Sequence, residues 1–329
     1  MEFKREKILL NKLIIVDGIG KCGKSLMLDV LSCFERVEKQ EFNGFLEYIA
    51  LAYKYNKITA DMAKAILQTE MDTKVYNNMI GRDVNTRLSD VTSLYKYHSP
   101  SKYLKRSLEG GGPSVYEKVL LEKPINICWA HDLISKSEVI FEAYEHRLDW
   151  IYINRKPVDI VFDWIKEQYS QRMAQEPTEM QYNVRFSDKV VPEIALGWEE
   201  EFLNITPHER TVKMIHTCFT LNREALKKKQ YYKNLYVFNF EDLVVDPHKE
   251  TERLKTIVKN PILPVLNQVL AKAKCPRVIN KKEWVEREND IIKNVSKRYA
   301  DLLLEMDVMY EDIKNLSIVE NNLVTSDNS

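Results

Sequence analysis

The sequence predicts an α/β fold: a mainly parallel sheet between two layers of helices, carrying long helical insertions. Two observations predict the layers. Short apolar runs of strand length, "LIIV" from Leu13, "INICWA" from Ile125, "LDWIYIN" from Leu148 and "NLYVFNF" from Asn234, carry β-branched or aromatic residues and polar flanks. Long stretches of helix formers lie between them, among them "EYIALAYKYNKITADMAKAILQTEMDTKVYNNMI" and "HERTVKMIHTCFTLNREALKKKQ". Strands that alternate with helices pair in parallel and are covered on both faces. The third observation is local: the first apolar run leads straight into a glycine-rich loop and then into an amphipathic stretch.

Composition bounds what such a fold can do. The chain has 329 residues, 44% hydrophobic and 30% charged, enough apolar material for a core without staples. Lys plus Arg equals Asp plus Glu at 49 each, so no global positive field recruits nucleic acid, and any anion site must be local. The five cysteines, Cys22, Cys33, Cys128, Cys218 and Cys275, are scattered and form no C-x-x-C pair, which indicates neither zinc nor a disulfide framework and fits a reducing cytoplasm. The N-terminal basic residues precede an apolar run, but Asn11 and Lys12 interrupt it and Asp17 ends it, so the segment reads as a first strand rather than an export signal. No apolar stretch reaches the roughly 18 to 20 residues that span a bilayer.

With only 9 glycines and 11 prolines and no low-complexity linker, one domain is expected over residues 1–315, with helical insertions at about 33–119 and 170–230 and a disordered polar tail at 316–329. The run "GGG" at residues 110–112 is the clearest loop, either a hinge or lid or a solvated turn.

The stretch "GIGKCGKS" holds G-x-x-x-x-G-K-S at Gly18, Gly23, Lys24 and Ser25, in the strand, loop and helix context that a phosphate-binding P-loop requires. Gly18, Gly20 and Gly23 let backbone N–H groups turn inward, the helix N-terminus adds partial positive charge, and Lys21 and Lys24 add full charges. A strand-to-helix turn with solvated lysines is the bland alternative. A Mg-ATP-dependent kinase or NTPase would also need an acid to hold the metal with Ser25. The strand-end candidate is Asp132, in a weaker context than an aliphatic run ending in Asp. A phosphosulfate donor carries less charge and could be held by lysines and backbone N–H groups without a metal.

Three motifs in order carry a resemblance to the sulfotransferases that use 3′-phosphoadenosine-5′-phosphosulfate (PAPS). "GIGKCGKSLM" resembles the family's 5′-phosphosulfate loop, with Lys21, Cys22 and Lys24 at its Arg, Ser and first Thr, and Leu26 beyond Ser25 within the same motif. "INRKPVDIVFDW" is similar to its R-x-P-x-D-x-x-x-S motif for the 3′-phosphate, placing Arg155, Pro157 and Asp159 on matching positions. "LYVFNFEDLVVDP" looks like its E-D-L-x-x-D-P strand and helix. The resemblance covers the scaffold from about Leu13 to Leu254 and leaves both insertions unassigned, where the acceptor site is expected.

The motif's final Ser falls on Asp163. An ionised carboxylate cannot donate to a phosphate and repels it by about 1 kcal/mol or more at contact, so Asp163 is turned away, is paired with Arg155, marks a donor without a 3′-phosphate, or caps backbone N–H groups. The resemblance further implies that His131, at the end of the strand before the R-x-P strand, is the general base, with Asp132 available to orient its ring. A satisfied structural histidine is the bland reading. Lys24 would stabilise the bridging oxygen, Lys21 the sulfuryl oxygens, Arg155 the adenosine end, and Arg277 of "CPRVINKKEW" would be a late basic contact on the 3′-phosphate. Cys22 in the loop is expected to have a thiol pKa lowered by Lys21, Lys24 and the helix end.

The expected function is therefore transfer of a sulfuryl group from PAPS to a hydroxyl or amine of a small molecule or glycan, with PAPS as co-substrate, no metal, no nucleic acid and no membrane partner. A Mg-ATP-dependent small-molecule kinase or NTPase and a non-catalytic nucleotide-binding protein are the alternatives.

Overall fold

The structure is a computed structural model, which describes residues 1–229 and 232–326. It begins with β1 (Lys12–Asp17), α1 (Lys24–Leu31), β2 (Glu41–Phe42), α2 (Gly44–Lys54), α3 (Ala60–Met79), α4 (Pro100–Arg106), α5 (Ser114–Glu122) and β3 (Ile125–Trp129). The chain continues through α6 (Glu138–Tyr144), β4 (Leu148–Asn154), α7 (Pro157–Lys166), α8 (Tyr169–Arg172), β5 (Asn183–Phe186) and β6 (Lys189–Pro192). It closes with α9 (Glu199–Asn204), α10 (Pro207–Lys229), β7 (Leu235–Asn239), α11 (Phe240–Val245), α12 (Pro247–Val258), α13 (Leu266–Lys272), α14 (Lys281–Lys293) and α15 (Lys297–Ser326).

The central sheet has the order β2-β3-β1-β4-β7, and every pairing in it is parallel. Successive strand residues point to opposite faces, yet all seven residues of β4 are buried. Both faces must then be covered by helices, which makes the three layers the sequence predicts. The four apolar runs are β1, β3, β4 and β7.

Two strand features have no apolar run to announce them. β2 is a two-residue edge strand whose Glu41 and Phe42 pair with Cys128 and Trp129. The antiparallel hairpin β5–β6 lies inside the insertion at 170–230, where only helices are expected, and is largely exposed, so no buried face imposes a pattern on it. The segment expected to be a disordered tail from residue 316 continues α15 as helix to Ser326, and residues 327–329 lie outside the described residues. The glycine run at 110–112 is exposed, and Gly112 N donates to Tyr76 Oη of α3 at 2.9 Å.

The topology sets the site. β3 and β4 flank β1 on opposite sides, so the connections leaving β1 and β3 diverge at the carboxyl ends of the strands, where open parallel sheets form their ligand crevice. Among the described residues no helix is long and apolar enough to cross a membrane.

Candidate functional site

The glycine-rich loop joins the carboxyl end of β1 to α1. Gly18 has φ +142°, and a Cβ there would lie 2.7 Å from the Ile153 carbonyl oxygen; Gly23 has φ +102°, and its Cβ would lie 2.2 Å from the ring of Phe240. Both positions exclude side chains by conformation and by space. The loop is held from β4 and α7: Trp164 Nε1 donates to Gly20 O at 2.9 Å, and Arg155 Nη1 donates to Lys21 O at 2.5 Å. Beyond it, the first N–H groups of α1 have no carbonyl one turn back within the helix, so Lys24 and Ser25 present donors at the positive end of its dipole. Leu26 is buried in the core and anchors this turn.

The two loop lysines are arranged differently. Lys24 is buried, its Nζ donating to Gly18 O at 2.6 Å and Ile19 O at 3.1 Å. Lys21 reaches outward to Glu167 Oε1 at 3.2 Å and over the Tyr169 ring. Burial works against its charge, but Tyr169, Glu167 and Asp163 outweigh that and raise the ammonium pKa. Cys22 departs from expectation: its thiol is buried beneath the loop, and burial pushes its pKa up despite Lys24. Desolvation of a thiolate exceeds the attraction of one nearby ammonium. All five cysteines are free and buried.

Under the loop sits Asp17, which reading the chain did not single out although it stands directly before Gly18. Its carboxylate accepts from the N–H groups of Leu133 at 3.1 Å and Ile134 at 2.7 Å, tying the end of β1 to the turn after β3. Burial, with the nearby charge of Asp132, pushes its carboxyl up to about 6, against the Leu133 N–H and Lys24.

A cavity of about 600 Å³ opens on the loop, lined by Lys21, Gly23, Lys24 and Ser25 on one side and by Trp129, His131 and Asp132 after β3 on the other. The insertions supply much of the rest of the wall, Phe42, Glu47 and Leu51 around α2 and Met180, Tyr182, Glu193 and Ile194 around the β5–β6 hairpin, and Leu133, Lys136, Trp164 and Tyr169 add to it. Lys136 and Glu193 form an ion pair of 2.9 Å in the wall. Burial opposes the charge of Glu193, but Lys136, the Tyr55 hydroxyl and Lys54 hold its carboxyl below the usual range.

His131 is half exposed to this cavity, and Glu47 rather than Asp132 holds its ring. Glu47 Oε1 lies 3.1 Å from His131 Nδ1 and accepts the His131 backbone N–H at 2.9 Å. Asp132 cannot orient the imidazole because it has left-handed backbone, φ +51°, and its carboxylate accepts from Asn222 Nδ2 on α10 at 2.9 Å.

Arg155 lies behind the loop, outside the cavity lining. It bonds Asp163 Oδ2 at 2.9 Å, approaches Asp159 Oδ2 to 3.7 Å and covers the Phe240 ring at 4.8 Å. Asp159 is in turn bonded by Arg287 Nη1 at 2.5 Å and Trp284 Nε1 at 3.1 Å. Of the alternatives for Asp163, pairing with Arg155 is the one observed. Arg277 bonds the carbonyls of Val244, through its backbone N–H, and Ala273, through its guanidinium, and among the described residues it makes no hydrogen bond or ion pair to the loop or Arg155. The sequence therefore singled out the loop, His131 and Arg155, and missed Glu47, Lys136 and Glu193, which come from segments without a motif.

The described residues hold no cluster of three or more His, Cys, Asp or Glu arranged to bind a metal. No protein-family profile matches the chain, and no curated protein is significantly similar to it. Solved structures resemble it in fold. The sulfotransferase domain of the curacin biosynthetic pathway matches at 14% identity over 78% of this chain and 77% of its own, with a TM-score of 0.42. The sulfotransferase domain of the Synechococcus PCC 7002 olefin synthase matches at 11% identity over 97% of this chain and 98% of its own, with a TM-score of 0.44. A sulfotransferase of Mycobacterium tuberculosis H37Rv matches at 11% identity over 84% and 76%, with a TM-score of 0.39. These are likenesses of chain path at low identity, and the functional reading rests on the residues of the site.

Proposed function

We propose that the protein transfers a sulfuryl group from PAPS to a hydroxyl or amine of a small molecule or glycan. The observation that carries this reading is that Lys24 of the phosphate loop and His131 at the end of β3 line the same cavity of about 600 Å³. An anion cradle and a candidate base thus face one space, whose other walls are largely apolar and aromatic. The N–H groups at the start of α1 and the ammonium of Lys24 fit the phosphosulfate, and Lys24 would exchange its loop carbonyls for that anion. His131 takes the acceptor proton while the acceptor oxygen or nitrogen bonds sulfur and the bond from sulfur to the bridging oxygen breaks. Lys24 and the loop N–H groups stabilise the negative charge left on the departing phosphate, which leaves as adenosine 3′,5′-bisphosphate. Arg155 serves the adenosine end, where Asp163 must give way to a 3′-phosphate. The buried free thiols fit a cytoplasmic location.

Calorimetric titration with adenosine 3′,5′-bisphosphate and with ATP, each with and without magnesium, tests the proposal. Magnesium-independent binding of the bisphosphate with weak ATP binding is expected. Magnesium-dependent ATP binding with no bisphosphate binding would overturn it in favour of a kinase or NTPase.

A further inference from the structure

We infer that Glu47, from the helical insertion, is the positioning residue for His131. It holds the imidazole in the tautomer that carries its proton on Nδ1 and so leaves Nε2 as the proton acceptor. An ionised carboxylate only accepts hydrogen bonds, so the 3.1 Å contact between Glu47 Oε1 and His131 Nδ1 requires a proton on that nitrogen. The same oxygen accepts the His131 backbone N–H at 2.9 Å, so one carboxylate fixes both the main chain and the ring of a single residue.

The local fold explains why Glu47 arrives there. β2 pairs Phe42 with Trp129 at the end of β3, which sets the start of α2 beside the turn that carries His131. Asn43 caps α2 by accepting from Phe45 N at 3.1 Å, and Glu47 lies in the first turn. The Phe42 ring stacks on Trp129 and meets the His131 ring edge-on, each at 5.9 Å between centroids. The imidazole is thus held between a ring and a carboxylate from one short stretch of chain. Asp132, its sequence neighbour, is engaged by Asn222 and does not compete. The insertion does more than wall the cavity: it sets which nitrogen of the base is free.

The base role of His131 rests on the function proposed above, and the tautomer does not, so the test has two arms. Ring-nitrogen NMR on the full chain, in the wild type and in Glu47→Ala and Glu47→Gln, reads the tautomer directly. Sulfuryl-transfer kinetics on the same proteins separate kcat from KM. The wild type is expected to show His131 protonated on Nδ1. Glu47→Ala is expected to shift population to the Nε2–H form and to lower kcat about 10- to 100-fold, part of what a positioned base contributes, with bisphosphate affinity unchanged. Glu47→Gln keeps an amide oxygen that accepts from both N–H groups, so it should retain the tautomer and most of kcat. An unchanged tautomer in Glu47→Ala, or loss of the Nδ1–H form in Glu47→Gln to the same extent, would overturn the inference. If no transfer occurs with any protein, the function proposal falls, and the NMR arm still decides the role of Glu47.

Discussion

His131 and Arg155 lie on opposite sides of one glycine-rich loop and are held in opposite ways. His131 faces the cavity and is held by a single carboxylate through one of its two ring nitrogens. Arg155 is turned onto the loop itself, with one carbonyl and two carboxylates around its guanidinium. The difference teaches that a motif residue in the right place is not equally free to act. The cavity reaches His131 as it stands, whereas the guanidinium of Arg155 is already engaged by Asp163.

The sharpest way to break this comparison is to remove the open side. His131→Ala is expected to lower kcat about 10²- to 10⁴-fold, the contribution of general-base catalysis, and to leave bisphosphate affinity unchanged by calorimetry. Unchanged turnover would take His131 out of the chemistry.

Next in size is the floor between the two sides. Asp17, with its carboxyl pushed up to about 6 by burial, binds its proton more tightly folded than unfolded. Its contribution to stability is therefore present at low pH and is lost as pH rises from about 4 through 6, by about 2 kcal/mol over that interval. Thermal melts of the wild type and Asp17→Asn across pH 4 to 7 should show that slope in the wild type and its absence in the variant. Parallel profiles would mean that the two N–H bonds from Leu133 and Ile134 cancel the cost of burial.

The smallest effect sharpens the closed side. Asp163→Ser removes a charge next to any 3′-phosphate and replaces an acceptor with a donor, so it should tighten adenosine 3′,5′-bisphosphate about tenfold, from the repulsion of contacting like charges in a solvated setting. The gain should shrink at high salt. No change would show that the 3′-phosphate lies away from Arg155.

The parts legible along the chain share a physical reason. The four core strands are apolar because both faces of the sheet are covered, and the loop must have glycine at 18 and 23 because Ile153 and Phe240 approach those backbones. Such demands fall on residue type at fixed spacing. β2 and the β5–β6 hairpin are an edge strand and an exposed ribbon, where burial imposes no pattern. The charged neighbours of Cys22 point to a lowered thiol pKa and burial raises it instead, because sequence shows which charges are adjacent and not how much water is left.

Sequence by itself determined the parallel α/β core and the place of the glycine-rich loop at the end of β1, since core burial and local conformation select those residues directly, while the candidacy of His131 and Arg155 came with the family resemblance. Only the tertiary structure decided that Glu47 rather than Asp132 holds His131, that Asp163 closes on Arg155, and that Arg277 bonds the Ala273 carbonyl. Those outcomes depend on which side chains meet across residues far apart in the chain, and the direction of a polar side chain follows from its partners in space, not from its neighbours in sequence.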